Sequence, residues 1–176
     1  MNMQLKYYLL LGLTALLASC SAPKEVLYLQ DITSLKEETI DAILKAEKLT
    51  DIKPHLSFPG YIPNTDLAAL YNGAFAFLYP SLRESFGIPM LEAMACGTPV
   101  IAGNTSAMPE IAGDGALLAD PLDANDIAHK LLLLEEDLSY YQQLKEYGLQ
   151  RVKQFSWRKS AEALLIIYQS IAAEEW

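Results

Sequence analysis

The stretch "AFAFLYPSLRESFGIPMLEAMACGTPVIAG", Ala74–Gly103, carries most of the information in this chain. It opens on a continuous apolar run closed by Pro80, the pattern of a strand buried on both faces. It ends on Val100-Ile101-Ala102-Gly103, a second apolar run entered through Thr98-Pro99. Between the two, a helix is expected from about Pro89 to Ala95. Proline suits a first helical turn, where its missing N–H has no partner to lose, and Gly97 ends the run. Strand, helix and strand in succession predict a parallel pair joined by a helical crossover.

The same alternation extends to both sides. Asn64, a capping-type residue, precedes the helical run "NTDLAALYNGA", and "HLSFPGYI" before it reads as a short strand ending in a Pro-Gly turn. Leu35, Ile40, Ile43, Leu44 and Leu49 recur at roughly helical spacing among Lys and Glu, which predicts an amphipathic helix closed by Pro54. After Gly103, "SAMPEIAG" suggests a short helix, "GALLADP" a strand, and "DANDIAHKLLLLEED" a helix capped by Asp123 or Asn125. Two further helices follow, "LSYYQQLKEYGLQRVKQF" and "SWRKSAEALLIIYQSIAAEEW", whose Tyr and Leu residues are expected in the core. The fold class is therefore α/β: a Rossmann-like parallel sheet flanked by helices. Such sheets bind ligands beyond the carboxyl ends of their strands.

The 176 residues suffice for one packed domain, and the net charge of -9 argues against a surface that tracks nucleic-acid phosphates, so nucleic acid is dropped as a partner. Cys20 and Cys96 are the only cysteines, and with His55 and His129 they assemble no metal-ligand cluster, so no metal is expected. Cys96 reads as a buried small residue, His129 as part of a solvated helix face and His55 as a loop residue.

The first twenty residues, "MNMQLKYYLLLGLTALLASC", have one Lys, an apolar run from Tyr7 to Ala18 and small residues before a cysteine, the layout of a secretion signal. The run is shorter than the ~20 apolar residues that span a bilayer. Leu17-Ala18-Ser19-Cys20 resembles the lipobox of bacterial lipoproteins, which implies lipidation at Cys20 and attachment to a membrane through the N-terminus. A short uncleaved anchor, or a buried helix with an incidental cysteine, is the alternative. The next residues, "SAPKEVLYLQDI", resemble the mature start of polysaccharide export lipoproteins. The expected division is 1–20 signal peptide, 21–55 linker and amphipathic helix, and 56–176 ligand-binding domain.

Glu84 and Glu92 are eight residues apart, and Phe86-Gly87-Ile88-Pro89 between them makes one loop glutamate and one helix glutamate more plausible than two on one helix. Gly87 lets backbone N–H groups approach a ligand, and a helix N-terminus favours phosphate. Glu92, about one turn in, suits the paired hydroxyls of a ribose, and Glu84 those of a sugar. Arg83 suits a diphosphate, an ion pair or a solvated position equally.

The run from Phe58 to Ser170 strongly resembles the C-terminal domain of family-four retaining glycosyltransferases of the GT-B fold, through "PSLRESFGIPMLEAMACGTPVIA" and the E-x7-E it contains. The resemblance implies that Glu84 faces the donor sugar and acts in catalysis, while Glu92 holds the ribose. It implies that Phe86 and Gly87 lie along sugar and phosphate, that Met90 and Leu91 approach the diphosphate, and that Tyr61, Ile62, Pro80 and Ser81 lie beside the base. The donor would be a nucleoside diphosphate sugar, with no cofactor required and a glycan or lipid as acceptor. The chain departs from that pattern in two ways. The family's acceptor-binding N-terminal domain is absent, which implies its supply in trans. No Gly-Arg…Lys-Gly stretch, whose charges clamp the leaving diphosphate, precedes Phe58; weak or no transfer by this chain alone is the expectation. The last helix normally crosses onto the absent domain, so an apolar face that is left exposed or finds a partner is expected there. Two functions remain: a glycosyltransferase fragment, cytoplasmic as such a domain would be, and a non-catalytic membrane-anchored binding module in polysaccharide export.

Overall fold

A computed structural model describes the backbone of Glu25–Tyr28, residues 45, 53, 55 and 57, and residues 61–173. The leader with Cys20 lies outside the described residues, as does most of the helix expected over 35–49, within which Lys45 is helical. Of the strand expected in "HLSFPGYI", His55 is instead in a 3-10 conformation and Ser57 is irregular, while residues 56 and 58–60 lie outside the described residues.

Among the described residues four strands, β1 Glu25–Tyr28, β2 Ala74–Tyr79, β3 Val100–Gly103 and β4 Ala116–Ala119, form a parallel sheet in chain order. β1 falls inside the stretch read as a linker; it pairs with β2 from Glu25 opposite Ala74 to Tyr28 opposite Leu78. Around them run α1 Asn64–Gly73, α2 Ile88–Ala95, α3 Met108–Ala112, α4 Ala124–Glu136, α5 Leu138–Val152 and α6 Trp157–Ala173. Because chain order and strand order coincide, every crossover steps the same way, and right-handed connections then place α1, α2 and α3 on one face. The packing agrees. Tyr71, Met90, Met94, Met108 and Ile111 share a core with Phe77, Tyr79, Val100 and Ala102. The alternate residues Ala76, Leu78, Ile101 and Leu117 point to the other face and pack against Ile127, Leu131 and Leu134 of α4 and Leu144 of α5. The period-2 alternation of β2 and β3 thus feeds two cores, which is why both read as unbroken apolar runs.

The termini of α2 fix how its loop meets the sheet. Gly87 is its N-cap in the left-handed region, at φ 86° and ψ 49°, and Pro89 lies in the first turn. At the other end Gly97, at φ 70°, donates its N–H to Met94 O at 2.9 Å, and Thr98 N–H reaches Ala93 O at 3.0 Å, a Schellman closure. Between these ends Met90, Leu91, Ala93 and Met94 are buried, each large side chain contributing about 1.5–3 kcal/mol of hydrophobic stabilisation.

Three expectations differ in detail. Pro63, not Asn64, is the N-cap of α1, and no side chain caps that helix. Asp123 caps α4, accepting from Asn125 N–H at 2.8 Å and Asp126 N–H at 3.3 Å. The Tyr and Leu residues of the last two helices are mostly outside the core. Leu144 is buried, but no residue of α6 is, and Leu164, Leu165, Ile166, Ile167, Tyr168 and Ile171 are all exposed. The amphipathic period of α6 is present, but among the described residues no element covers its apolar stripe. No helix among the described residues is long and apolar enough to cross a membrane.

Candidate functional site

The site lies at the carboxyl ends of β2 and β3, where Pro80–Gly87 follows β2 and Asn104–Ala107 follows β3. The second loop staples the first. Ser106 Oγ donates to Glu84 O at 2.6 Å and accepts from Glu84 N–H at 3.3 Å, while Thr105 Oγ1 lies within reach of Ser81 O at 3.3 Å and Leu82 O at 3.2 Å. Ser106 adopts φ 59°, a left-handed backbone that costs a non-glycine residue about 1–2 kcal/mol, and the reciprocal pair with Glu84 offsets that cost. The loops also approach closely. A Cβ on Gly103 would stand 2.6 Å from Ser81 O and 2.8 Å from Met108 Cε.

Glu84 is half-buried in the loop, and its Oε1 accepts a hydrogen bond from Tyr79 Oη at 2.5 Å. Glu92 sits on α2, four residues past its first residue and so about 6 Å along its axis. With Ile88 and Ala95 it forms the exposed face of that helix, and its Oε2 faces Tyr71 Oη at 3.4 Å. The expectation of one loop and one helix carboxylate holds. Burial, followed by the Glu92 carboxylate, pushes the Tyr71 phenol well above its ordinary 10.0, so it remains a donor. The Cys96 thiol is pushed above its ordinary 9.0 by burial first and by Glu92 second. Cys96 is half-buried rather than buried.

The remaining residues singled out by sequence divide into those that present side chains and those that present backbone. Met90 and Leu91 are 0% and 7% exposed, so toward a ligand they offer main chain, and Met90 N–H is engaged with Gly87 O at 3.1 Å. Gly87 is buried, and Phe86 before it is exposed. Its nearest neighbours would lie 3.7 Å from an added Cβ, so its φ rather than lack of space calls for glycine. Pro80 and Ser81 are half-buried at the end of β2; Tyr61 is exposed and Ile62 half-buried, just before α1. Since α1 leads directly into the start of β2, its own start, with Tyr61 and Ile62 before it, lies toward the carboxyl end of the sheet. Arg83, His129 and His55 are exposed.

A groove of about 460 Å³ opens beside Glu92, lined by Phe86, Ile88, Leu91 and Ala95 on one side and Val152, Phe155, Ser156, Trp157 and Ser160 on the other. It brings Phe86, Leu91 and Glu92 together; Glu84, Tyr61, Ile62, Pro80 and Ser81 do not line it. Phe86 meets Phe155 edge-to-face at 5.7 Å, and the Arg151 guanidinium lies 5.1 Å from the Phe155 ring. Among the described residues, no group of three or more His, Cys, Asp or Glu side chains could hold a metal ion.

Sequence reasoning missed Tyr71, Tyr79, Thr105 and Ser106. The two loop residues follow a predicted strand at its carboxyl end, a placement that marks them in retrospect. Tyr79 belongs to a run that reads only as a buried strand, and the separation of 21 positions between Tyr71 and Glu92 hides that pair from any local pattern.

Comparison with known proteins adds four findings. The family described as "Glycosyl transferases group 1" matches residues 36–151. The O-antigen chain mannosyltransferase B of Escherichia coli is 40% identical over 114 residues, which are 65% of this chain and 30% of that protein. Among solved structures, sucrose-phosphate synthase from Thermosynechococcus elongatus superposes with a TM-score of 0.67 at 30% identity, covering 78% of this chain and 35% of that one. The Anabaena protein HepE in complex with UDP gives 0.67 at 19% identity, over 76% of this chain and 37% of that one, a likeness of fold. The chain thus spans about a third of the length of these proteins.

Proposed function

Because the chain belongs to the group 1 glycosyl transferases, we propose that it binds a nucleoside diphosphate sugar and forms the donor half of a retaining transfer to a glycan or lipid acceptor. The observation that carries this reading is the pair of carboxylates at the carboxyl end of the sheet, one on a clamped loop and one on α2, with the start of α2 between them. Carboxylates accept hydrogen bonds from hydroxyl pairs, and a helix N-terminus favours the intervening diphosphate.

In this reading Glu84 orients the sugar and Glu92 holds the ribose. The Phe86–Gly87 backbone lies along the sugar and phosphate, and the main chain at Met90 and Leu91 faces the diphosphate. Tyr61, Ile62, Pro80 and Ser81 flank the base. The acceptor oxygen attacks the anomeric carbon on the face from which the diphosphate departs; the carbon–oxygen bond to the diphosphate breaks, and a diphosphate oxygen takes the acceptor's proton. No metal is required. The UDP bound to the Anabaena neighbour supports the donor class, and the mannosyltransferase relative makes a mannosyl donor the first to test. Lipidated Cys20 attaches the chain to a membrane. The lipobox-like leader favours a second reading, a membrane-anchored module that binds a donor without transferring it.

Calorimetric titration of the full chain with guanosine, uridine and adenosine diphosphate sugars tests the proposal. One donor class should bind, and Glu92→Ala should weaken it by about 10–100-fold, the value of hydrogen bonds to a charged group. A folded sample that binds none of the three refutes it. A radiolabel transfer assay with glycan and lipid acceptors separates transfer from binding alone.

A further inference from the structure

Each carboxylate of the site is met by a tyrosine hydroxyl, and the two tyrosines belong to one row of packed rings. Tyr71, at the end of α1, stands edge-on to Phe77 with centroids 5.3 Å apart and planes at 86°. Phe77 stacks on Tyr79 at 5.6 Å and 19°. All three rings are buried, at 2%, 0% and 7% exposure. From the two ends of this row the hydroxyls emerge toward different elements: Tyr79 Oη to Glu84 Oε1, and Tyr71 Oη to Glu92 Oε2. The Tyr71 end is held further, since the buried Thr98 Oγ1 donates to Tyr71 O at 2.5 Å.

We infer that Tyr79 and Tyr71 are positioning residues for donor recognition, the aromatic row setting the separation and the orientation of the two carboxylates. The inference rests on the donor-binding reading above. Its physical basis is that a phenol has one proton to donate, so each tyrosine engages one carboxylate oxygen and leaves the other, Glu84 Oε2 or Glu92 Oε1, to a ligand hydroxyl. A glutamate has three rotatable bonds, and ordering it at the moment of binding costs affinity that a preformed contact saves. Rings packed at core density cannot shift independently, so the two contacts act over a fixed span.

The test uses the full chain and two single-atom deletions, Tyr79→Phe and Tyr71→Phe, titrated with three ligand forms: a nucleoside diphosphate sugar, the same nucleoside diphosphate, and its 2′,3′-dideoxy counterpart. All three are taken in the uridine, guanosine and adenosine series. Tyr79→Phe should weaken the nucleotide sugar about tenfold and leave the nucleoside diphosphate within twofold. Tyr71→Phe should weaken both about tenfold and leave the dideoxy form within twofold. A purely structural role would move all three ligands together, and that result overturns the inference, as does an unchanged profile. Should Tyr71→Phe fail to fold, the ligand selectivity of Tyr79→Phe alone settles the matter. Failure of the wild-type chain to bind any ligand overturns the donor-binding reading and this inference with it; binding by the wild type with unselective variants overturns this inference alone.

Discussion

Three glycines of this chain should respond to the same substitution in three different ways, and Gly103→Ala is the most informative. Gly103 ends β3 directly beneath the loop that carries Glu84. An added Cβ would stand 2.6 Å from Ser81 O, a backbone atom, and 2.8 Å from Met108 Cε, the tip of a flexible side chain, so the Ser81 carbonyl is the neighbour whose displacement costs most. Overpacking of this kind costs about 1–3 kcal/mol, which for a chain of this size lowers the melting temperature by roughly 3–10 °C. The displaced group is the Ser81 carbonyl that Thr105 Oγ1 approaches, so donor affinity should fall together with stability. Gly87→Ala meets nothing closer than 3.7 Å, and its cost of about 1–2 kcal/mol comes from φ 86° alone. Gly87→Asn should therefore be milder than Gly87→Ala, whereas Gly103→Asn should be worse than Gly103→Ala. Gly73, the last residue of α1, has nothing within 4 Å, and Gly73→Ala should be neutral or stabilising. Urea and thermal unfolding of the five variants decide the matter. The reasoning is refuted if Gly103→Ala is as stable as Gly73→Ala, or if asparagine rescues Gly103 rather than Gly87.

Two further outcomes follow from side chains around the site. Arg151 donates Nε–H to Ile111 O at 2.9 Å and a terminal N–H to Glu110 O, so it closes the carboxyl end of α3 while its guanidinium lies over Phe155. Arg151→Ala should cost about 1–3 kcal/mol in urea unfolding, and Arg151→Lys should recover little of it, because an ammonium cannot span both carbonyls and the ring; a fully stable lysine variant would contradict this. In a Cys20→Ser background Cys96 is the only thiol, and its alkylation rate should rise with pH through a midpoint above 9.0. Burial and Glu92 both disfavour its thiolate, so Glu92→Gln should lower the midpoint without restoring 9.0; a wild-type midpoint at or below 9.0 would show that the thiol is not desolvated.

The secondary elements from α1 onward were readable because each is bounded by residues whose backbone chemistry is local. Pro80 closes β2, Gly87 and Pro89 open α2, Gly97 ends it and Asp123 caps α4. Unbroken apolar runs at β2 and β3 announced a sheet covered on both faces, and the loop-and-helix placement of Glu84 and Glu92 followed from the glycine and proline between them. What stayed illegible depends on distance along the chain. β1 joins the sheet from a stretch that reads as a linker, because a four-residue strand has too short a pattern to distinguish itself. α6 has the amphipathic period of a core helix, yet none of its residues is buried, since periodicity records a helix's capacity to bury a face and not the presence of something to bury it against. The site shows the same division. The types and spacing of its carboxylates are written locally, as is the contact of Tyr79 with Glu84 five positions on, whereas Tyr71, Thr105 and Ser106 are brought against the site by the parallel crossovers. A hydrogen bond between residues 21 or 22 positions apart exists only once the sheet has formed, and no local propensity encodes it.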